Sequence, residues 1–226
     1  MSWIKSQSLS KIGGIVHGFS NKKFNGSVSD IARYFGLSNI ATINQTHSSD
    51  VFVINDGFKD MSKEKGDAII TGLRGIGIGV FTADCVPILF AEKTGFLVAV
   101  VHAGWRGTLS QIPIATLTEM KNRFGIEPSR VSCVVGPSIG GCCYEVGEDV
   151  ASQFIDKFDN WKDFLFRKSN LKYILDLKGA NRINLFKEGV RDIEVMNICT
   201  KCNSDFHSYR RDGENVGKQL SFIGLV

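Results

Sequence analysis

No stretch of this 226-residue chain approaches the roughly 20 consecutive apolar residues of a membrane-spanning helix, so a helical span is excluded. The opening Met1-Ser-Trp-Ile-Lys-Ser6 lacks the apolar core and cleavage site of a secretory leader, and the expected location is cytoplasmic. No G-x-G-x-x-G follows a strand-like run and opens a helix, and no G-x-x-x-x-G-K-[ST] is present; dinucleotide and P-loop folds lose their support. Internal repeats and low-complexity tracts are missing too. Charge of one sign is scarce: 27 lysines and arginines stand against 23 acids, interspersed, for a net charge of +4. A nucleic-acid protein should show a basic stripe with interleaved aromatics, so no nucleic acid and no membrane partner are expected. Small anions such as phosphate stay compatible. Histidine is rare, with only His17, His47, His102 and His207.

What is present is an ordinary globular mixture, 43% apolar and 22% charged, on a chain long enough to bury a substantial core. The six cysteines, Cys85, Cys133, Cys142, Cys143, Cys199 and Cys202, read as reduced thiols, because a chain of this size needs no disulfide framework. Strands are predicted at 51–54, at 77–91 (one long strand broken near Asp84-Cys85), at 96–101, 131–135, 173–177, 193–196 and 221–226. Helices are predicted at 110–124, 146–158 and 178–189 from apolar residues at i, i+3, i+4. Several strands follow one another with short turns, which favours an α+β domain with mixed β-sheets packed by helices. Residues 1–226 read as a single compact domain.

Chemistry-bearing residues fall at strand ends, where a scaffold can aim groups into a shared pocket. His47 lies in Asn44-Gln-Thr-His-Ser-Ser-Asp50, Cys85 in Thr82-Ala-Asp-Cys-Val-Pro87, and His102 in Val100-Val-His-Ala-Gly-Trp-Arg-Gly107. Two imidazoles and a thiolate make a three-ligand zinc site with one open position, the pattern of catalytic zinc. The same residues also permit a cysteine hydrolase or amidase, with Cys85 as nucleophile and His102 as base. Asp84 is a further catalytic candidate, and Asp84 and Asp67 are both placed to orient a ligand histidine. The arginines Arg106, Arg210 and Arg211 are candidates for holding an oxyanion, since the guanidinium fork matches phosphate. Cys199-Thr-Lys-Cys202 with His207 is a weak second metal pattern. It shows three ligands where a closed site needs four, so no second metal site is expected there. Adjacent Cys142 and Cys143 would diverge on a strand and are not expected to share an ion.

Gln45-Thr-His47, Ala83-Asp-Cys-Val-Pro87 and His102-Ala-Gly-Trp-Arg-Gly107 resemble the signature segments of the YfiH-type laccase-domain family. Gly136-Pro-Ser-Ile139, Cys143-Tyr-Glu-Val146 and Phe206-His-Ser-Tyr-Arg-Arg211 extend the likeness to the carboxyl end. The resemblance implies a cytotoxic-necrotizing-factor/YfiH-like architecture. It implies a zinc-dependent purine nucleoside phosphorylase acting on adenosine, inosine or methylthioadenosine with phosphate, with adenosine deaminase activity beside it. The metal ligands would be His47, Cys85 and His102, the catalytic groups Cys85, His102 and Asp84, and the substrate or phosphate contacts Gln45, Arg106, Arg210 and Arg211. Cys143-Tyr-Glu145 would line the pocket. The oligomeric state would be monomer or homodimer. The family has also been labelled polyphenol oxidase. One copper in the two-histidine, one-cysteine site would serve a copper-dependent oxidase, but four histidines cannot furnish the histidine-rich cluster of a multicopper laccase. The rival readings are a metal-free Cys85/His102 hydrolase acting on a cell-wall precursor and a non-catalytic metal-binding module. The chain departs from the family in residues 13–36, at Ser48, where glycine is usual, and at Asn215-Val-Gly-Lys218.

Overall fold

The computed structural model describes residues 3–24, 26–56 and 61–226. The strands are β1 (Ile15–Phe19), β2 (Asn39–Thr42), β3 (Val51–Ile54), β4 (Ala68–Thr71), β5 (Ile76–Thr82), β6 (Val86–Glu92), β7 (Val98–Ala103), β8 (Val131–Val135), β9 (Glu145–Gly147), β10 (Leu165–Ser169), β11 (Lys172–Leu175), β12 (Asp192–Val195) and β13 (Gln219–Leu225). The helices are α1 (Val28–Tyr34), α2 (Trp105–Leu109), α3 (Ile112–Phe124), α4 (Glu148–Lys157), α5 (Leu177–Lys187) and α6 (Tyr209–Asp212). A six-stranded sheet has the order β12-β8-β6-β7-β4-β3, a four-stranded sheet the order β1-β13-β5-β2, and a three-stranded sheet the order β10-β11-β9. Both larger sheets mix parallel and antiparallel pairs. The architecture is α+β, as the sequence pattern implies.

The central strands are apolar without alternation because both of their faces are covered. Every residue of β6 and β7 is buried. Val86, Ile88, Phe90, Ala99 and Val101 pack towards the helices, against Ile112, Leu117, Met120, Phe154 and Leu185. Their neighbours Leu89, Ala91, Val98 and Val100 point the other way, onto Ile78, Val80, Ile223 and Leu225 of the four-stranded sheet. The result is three layers: helices, large sheet, small sheet.

The predicted long strand at 77–91 is two strands in two different sheets. The crossing is Ala83-Asp-Cys85, with Asp84 at a φ of 91°, in the left-handed region that L-residues seldom adopt. Its carboxylate accepts hydrogen bonds from Thr200 Oγ1 (2.6 Å), Ser208 Oγ (3.0 Å) and the Arg210 backbone N–H (2.7 Å), which hold the turn from outside. Residues 146 and 147, expected to open a helix, belong instead to strand β9. Gly147 then caps α4, whose first turn carries Glu148 and Asp149 in favourable interaction with the helix dipole. The strand predicted at 96–101 runs on through His102 and Ala103. In the amino-terminal segment, Ser27 and Asp30 form a reciprocal capping box that starts α1.

Candidate metal centre

The alternation of β7 decides where His102 points. Ala99, Val101 and Ala103 face the helices, so His102 shares the opposite side with Val98 and Val100, between the two large sheets at their open end. It pairs across the sheet with Pro87, two residues beyond Cys85 on the crossing turn. His47 enters from the segment between β2 and β3 and adopts a φ of 61°. The three side chains converge: their ligand atoms lie within 4.8 Å of one another. Cys85 Sγ is 3.9 Å from His47 Nε2, and the two imidazole rings stand 4.8 Å apart. Gly104 closes the back of the cluster. A Cβ there would lie 2.9 Å from His47 Cδ2 and 3.0 Å from Cys85 Sγ, so any side chain at this position would push both residues out of place.

Asp67 orients His102. The carboxylate is fully buried and accepts from His102 Nδ1 at 2.7 Å, from the Ser48 N–H at 2.6 Å and from Ser48 Oγ at 2.9 Å. His102 is thereby left with Nε2 for the cluster, the arrangement by which ligand histidines are fixed in metal sites. Ser48, at the position where the family usually has glycine, adds a bond to the same carboxylate. Burial works against ionisation of Asp67, but the bonds from His102 and Ser48 outweigh it and hold its carboxyl down at about 2. Burial likewise opposes the charged forms of His102 and Cys85. The Asp67 bond and the Cys85 sulfur outweigh it and raise His102 to about 9, while bonds from His102 and His47 bring the Cys85 thiol down to about 6. The centre is a thiolate beside a carboxylate-held imidazole.

The residues fit a metal ion. A tetrahedral zinc with Zn–S of about 2.3 Å and Zn–N of about 2.0–2.1 Å separates its ligand atoms by roughly 3.5 Å; here Cys85 Sγ and His47 Nε2 are 3.9 Å apart and all three ligand atoms lie within 4.8 Å of one another. One side faces a cavity of about 600 Å³. Trp105, Tyr144 and Tyr209 supply aromatic walls, and Arg106, Arg210 and Lys218 supply positive charge. The Arg106 guanidinium lies over the Trp105 ring at 4.3 Å, and no hydrogen bond to it is formed among the described residues. Arg210 lies over Tyr144 and donates one N–H to the Glu145 carbonyl at 2.8 Å.

Not every expected contact is made. Asp84 neither orients a histidine nor presents a free carboxylate; it clamps Thr200, Ser208 and Arg210. Gln45 borders the cavity, but its amide is locked to both the N–H and the C=O of Phe81, at 2.8 Å each. Arg211 is turned away from the cavity, bound to Asp212 and to the carbonyls of Thr200, Lys201, Asn203 and Phe206. Sequence reasoning passed over Glu214 and Lys218 as wall residues; their place just after the matched segment ending at Arg211 was the available signal. Cys199 and Cys202 do not meet His207. They meet Cys142 and Cys143, contrary to the divergence expected of adjacent cysteines, because residues 141–143 form a turn and not a strand.

The remaining histidines are occupied elsewhere. His17 is buried in β1, its Nε2 accepting from the Ser6 N–H at 2.9 Å, and His207 lies against Gly217. Among the described residues only one histidine-bearing metal cluster forms. Fold and site thus define a class: a mixed-sheet α+β domain carrying a single two-histidine, one-cysteine centre at the mouth of a cavity.

The comparisons with known proteins agree. Residues 20–226 match the family described as multi-copper polyphenol oxidoreductase laccase. The chain is 34% identical to a purine nucleoside phosphorylase of Clostridium acetobutylicum over 93% of its own length and 87% of the relative's. It is 38% identical to an adenosine deaminase from an unknown prokaryote, over 84% of this chain and 75% of that one. The crystal structure of the hypothetical protein YfiH of Bacillus licheniformis superposes with a TM-score of 0.91 at 26% identity, covering 100% of this chain and 97% of that one. The crystal structure of YlmD from Geobacillus stearothermophilus superposes with a TM-score of 0.89 at 27% identity, covering 100% and 96%. The chain belongs to this laccase-domain, YfiH-type family.

Proposed function

We propose that the protein is a zinc-dependent purine nucleoside phosphorylase, converting adenosine, inosine or methylthioadenosine and phosphate to free base and ribose 1-phosphate. The observation that carries this reading is the convergence of His47, Cys85 and His102 on a cavity with aromatic walls and three cations. The relatives named as phosphorylases support it. His47, Cys85 and His102 would hold the zinc, which when bound would supply a Lewis acid beside the cavity.

The chain's own residues do the rest. Trp105, Tyr144 and Tyr209 offer faces on which a purine stacks. Arg106, whose guanidinium makes no hydrogen bond among the described residues, and Lys218 hold phosphate; Arg210 contributes the N–H groups not bound to Glu145. In phosphorolysis a phosphate oxygen bonds to the sugar C1′ while the glycosidic bond breaks and its electron pair leaves with the base. The base must then be protonated. The Tyr144 hydroxyl, which burial pushes up to about 12, stays protonated at neutral pH and lies on the wall where it can donate. Adenosine deaminase activity at the same centre follows the relative of that name. A full multicopper oxidase is not proposed, because the other two histidines are engaged away from the centre.

One geometric feature favours a second reading. Cys85, His102 and Asp67 also form a thiolate–imidazole–carboxylate series, the layout of a cysteine hydrolase. The test is to incubate zinc-assayed protein with adenosine, with and without phosphate. The proposal expects adenine and ribose 1-phosphate only with phosphate. Rapid alkylation of Cys85 in a protein that binds no zinc at this centre, with no phosphate-dependent product, would favour the hydrolase.

A further inference from the structure

We infer that Cys142, Cys143, Cys199 and Cys202 hold a second ion, a closed tetrahedral zinc with a structural role, separate from the centre beside the cavity. Their four sulfur atoms lie within 4.8 Å of one another. Cys143 and Cys202 are 3.2 Å apart, Cys142 and Cys143 3.7 Å, and Cys142 and Cys202 3.8 Å. A tetrahedron with Zn–S bonds of about 2.3 Å has sulfur–sulfur edges of about 3.8 Å. A four-iron cluster places each thiolate on its own iron and spreads them farther apart, so the spacing selects a single thiophilic ion. Cytosolic thiols without a role are small buried hydrophobes, as Cys133 is, whereas Cys142 and Cys202 are exposed.

The surroundings suit a negatively charged thiolate site. The backbone N–H of Gly140 donates to Cys199 Sγ at 3.3 Å. A Cβ on Gly140 would press to 3.2 Å from Cys142 Sγ, so the turn passes close against the sulfurs. Four thiolates around Zn²⁺ carry a net charge of −2, and the buried ammonium of Lys178 stands behind them. It donates to the carbonyls of Met196 (3.2 Å) and Ile198 (3.0 Å), on the strand of chain that leads into Cys199.

The ion would brace the turn that carries Cys85. Cys142 and Cys143 sit on the connection from β8 to β9, and Cys199 and Cys202 on the connection from β12 to α6. The two connections already touch through the bridge of Ser138 with Cys199 and the bond from the Thr200 N–H to the Ser138 carbonyl at 3.1 Å. Both grip Asp84: Thr200 Oγ1 donates to its carboxylate, and the Ile139 N–H donates to its carbonyl at 2.9 Å. Tyr144, directly after Cys143, lines the cavity. The four cysteines do not themselves border the cavity, so the ion holds the wall without touching substrate.

The experiment is elemental analysis with zinc-edge X-ray absorption on full-length protein purified without chelators under reducing conditions. In the His47→Ala/Cys85→Ala protein only the four-cysteine site remains. The expected result is one zinc per chain with four sulfur neighbours at about 2.3 Å and no nitrogen. Cys142→Ser/Cys202→Ser should lose that zinc. If this variant fails to fold, the unmodified protein answers by alkylation: the four thiols should resist until a chelator strips the zinc, and react afterwards. Four freely alkylating cysteines with no zinc, or a Cys143–Cys202 disulfide in protein kept reduced, would overturn the inference. Because the first measurement is made without the two-histidine site, its outcome is independent of whether the protein is a phosphorylase.

Discussion

Replacing Asp67 by Asn tests the orientation of His102 directly. The carboxylate is fully buried and accepts from His102 Nδ1, the Ser48 N–H and Ser48 Oγ within 2.9 Å. An asparagine keeps the shape but turns one acceptor into an NH₂ donor. Facing His102 Nδ1–H or the Ser48 N–H, that donor opposes another donor, and the imidazole loses the charge that fixes its tautomer. Carboxylates behind a ligand histidine contribute about 10–100-fold to metal affinity, equivalent to about 1.4–2.7 kcal/mol. A charge-assisted hydrogen bond contributes about 1.5–3 kcal/mol, so losing one here agrees with that range. The assay is competition for zinc against a chelator, in a Cys142→Ser/Cys202→Ser background so that one site is titrated. Asp67→Asn should weaken binding about 10–100-fold, and His47→Ala should abolish tight binding. Unchanged affinity in Asp67→Asn beside a lost site in His47→Ala would refute the claim that this carboxylate positions His102.

Three further outcomes follow. Asp84→Asn should lower thermal stability by several degrees while kcat per folded molecule stays within about tenfold, because Asp84 clamps the turn and does not act on substrate; a thousandfold loss of kcat at unchanged stability would restore it as a catalytic group. Arg106→Ala should raise the KM for phosphate at least about tenfold with a smaller change in kcat, and an unchanged phosphate KM would remove Arg106 from the anion site. Burial, with Lys5 nearby, pushes His17 from its ordinary 6.5 to about 4, so the folded protein binds this proton less readily than the unfolded chain. Its contribution is present above pH 6.5 and is lost as pH falls from there towards 4, about 3 kcal/mol in all. Denaturant unfolding of His17→Gln should therefore lose that part of the acid slope, and an unchanged slope would show that His17 does not titrate with folding.

The convergence of His47, Cys85 and His102 was legible because each lies in a polar break beside strand-like apolar runs, and the ends of strands meet where sheets end. His47, Cys85 and His102 come together as their segments imply. The role of Asp67 and Asp84 was not legible. Both lie next to a turn, and the sequence cannot say that one carboxylate faces inward to His102 while the other faces outward to Thr200 and Ser208. The break near Asp84-Cys85 in the strand expected over 77–91 is where the structure has it, but that the two halves enter different sheets was hidden for a related reason. Apolar residues on either side of Asp84 belong to different sheets that face one another, and continuous hydrophobicity is what both produce. The four-cysteine cluster needed the fold itself, since the distance from Cys143 to Cys199 along the chain carries no information about contact. The rule that adjacent side chains diverge holds for strands, and residues 141–143 are a turn.

The central claim is that the centre built by His47, Cys85 and His102 catalyses phosphorolysis of a purine nucleoside. The most direct measurement strips the metal, returns zinc stepwise, and follows ribose 1-phosphate from adenosine and phosphate. The account predicts activity that returns in proportion to zinc at this centre, needs phosphate, and is absent from His47→Ala. Full phosphate-dependent turnover by metal-free protein, or by zinc-treated His47→Ala, would contradict it.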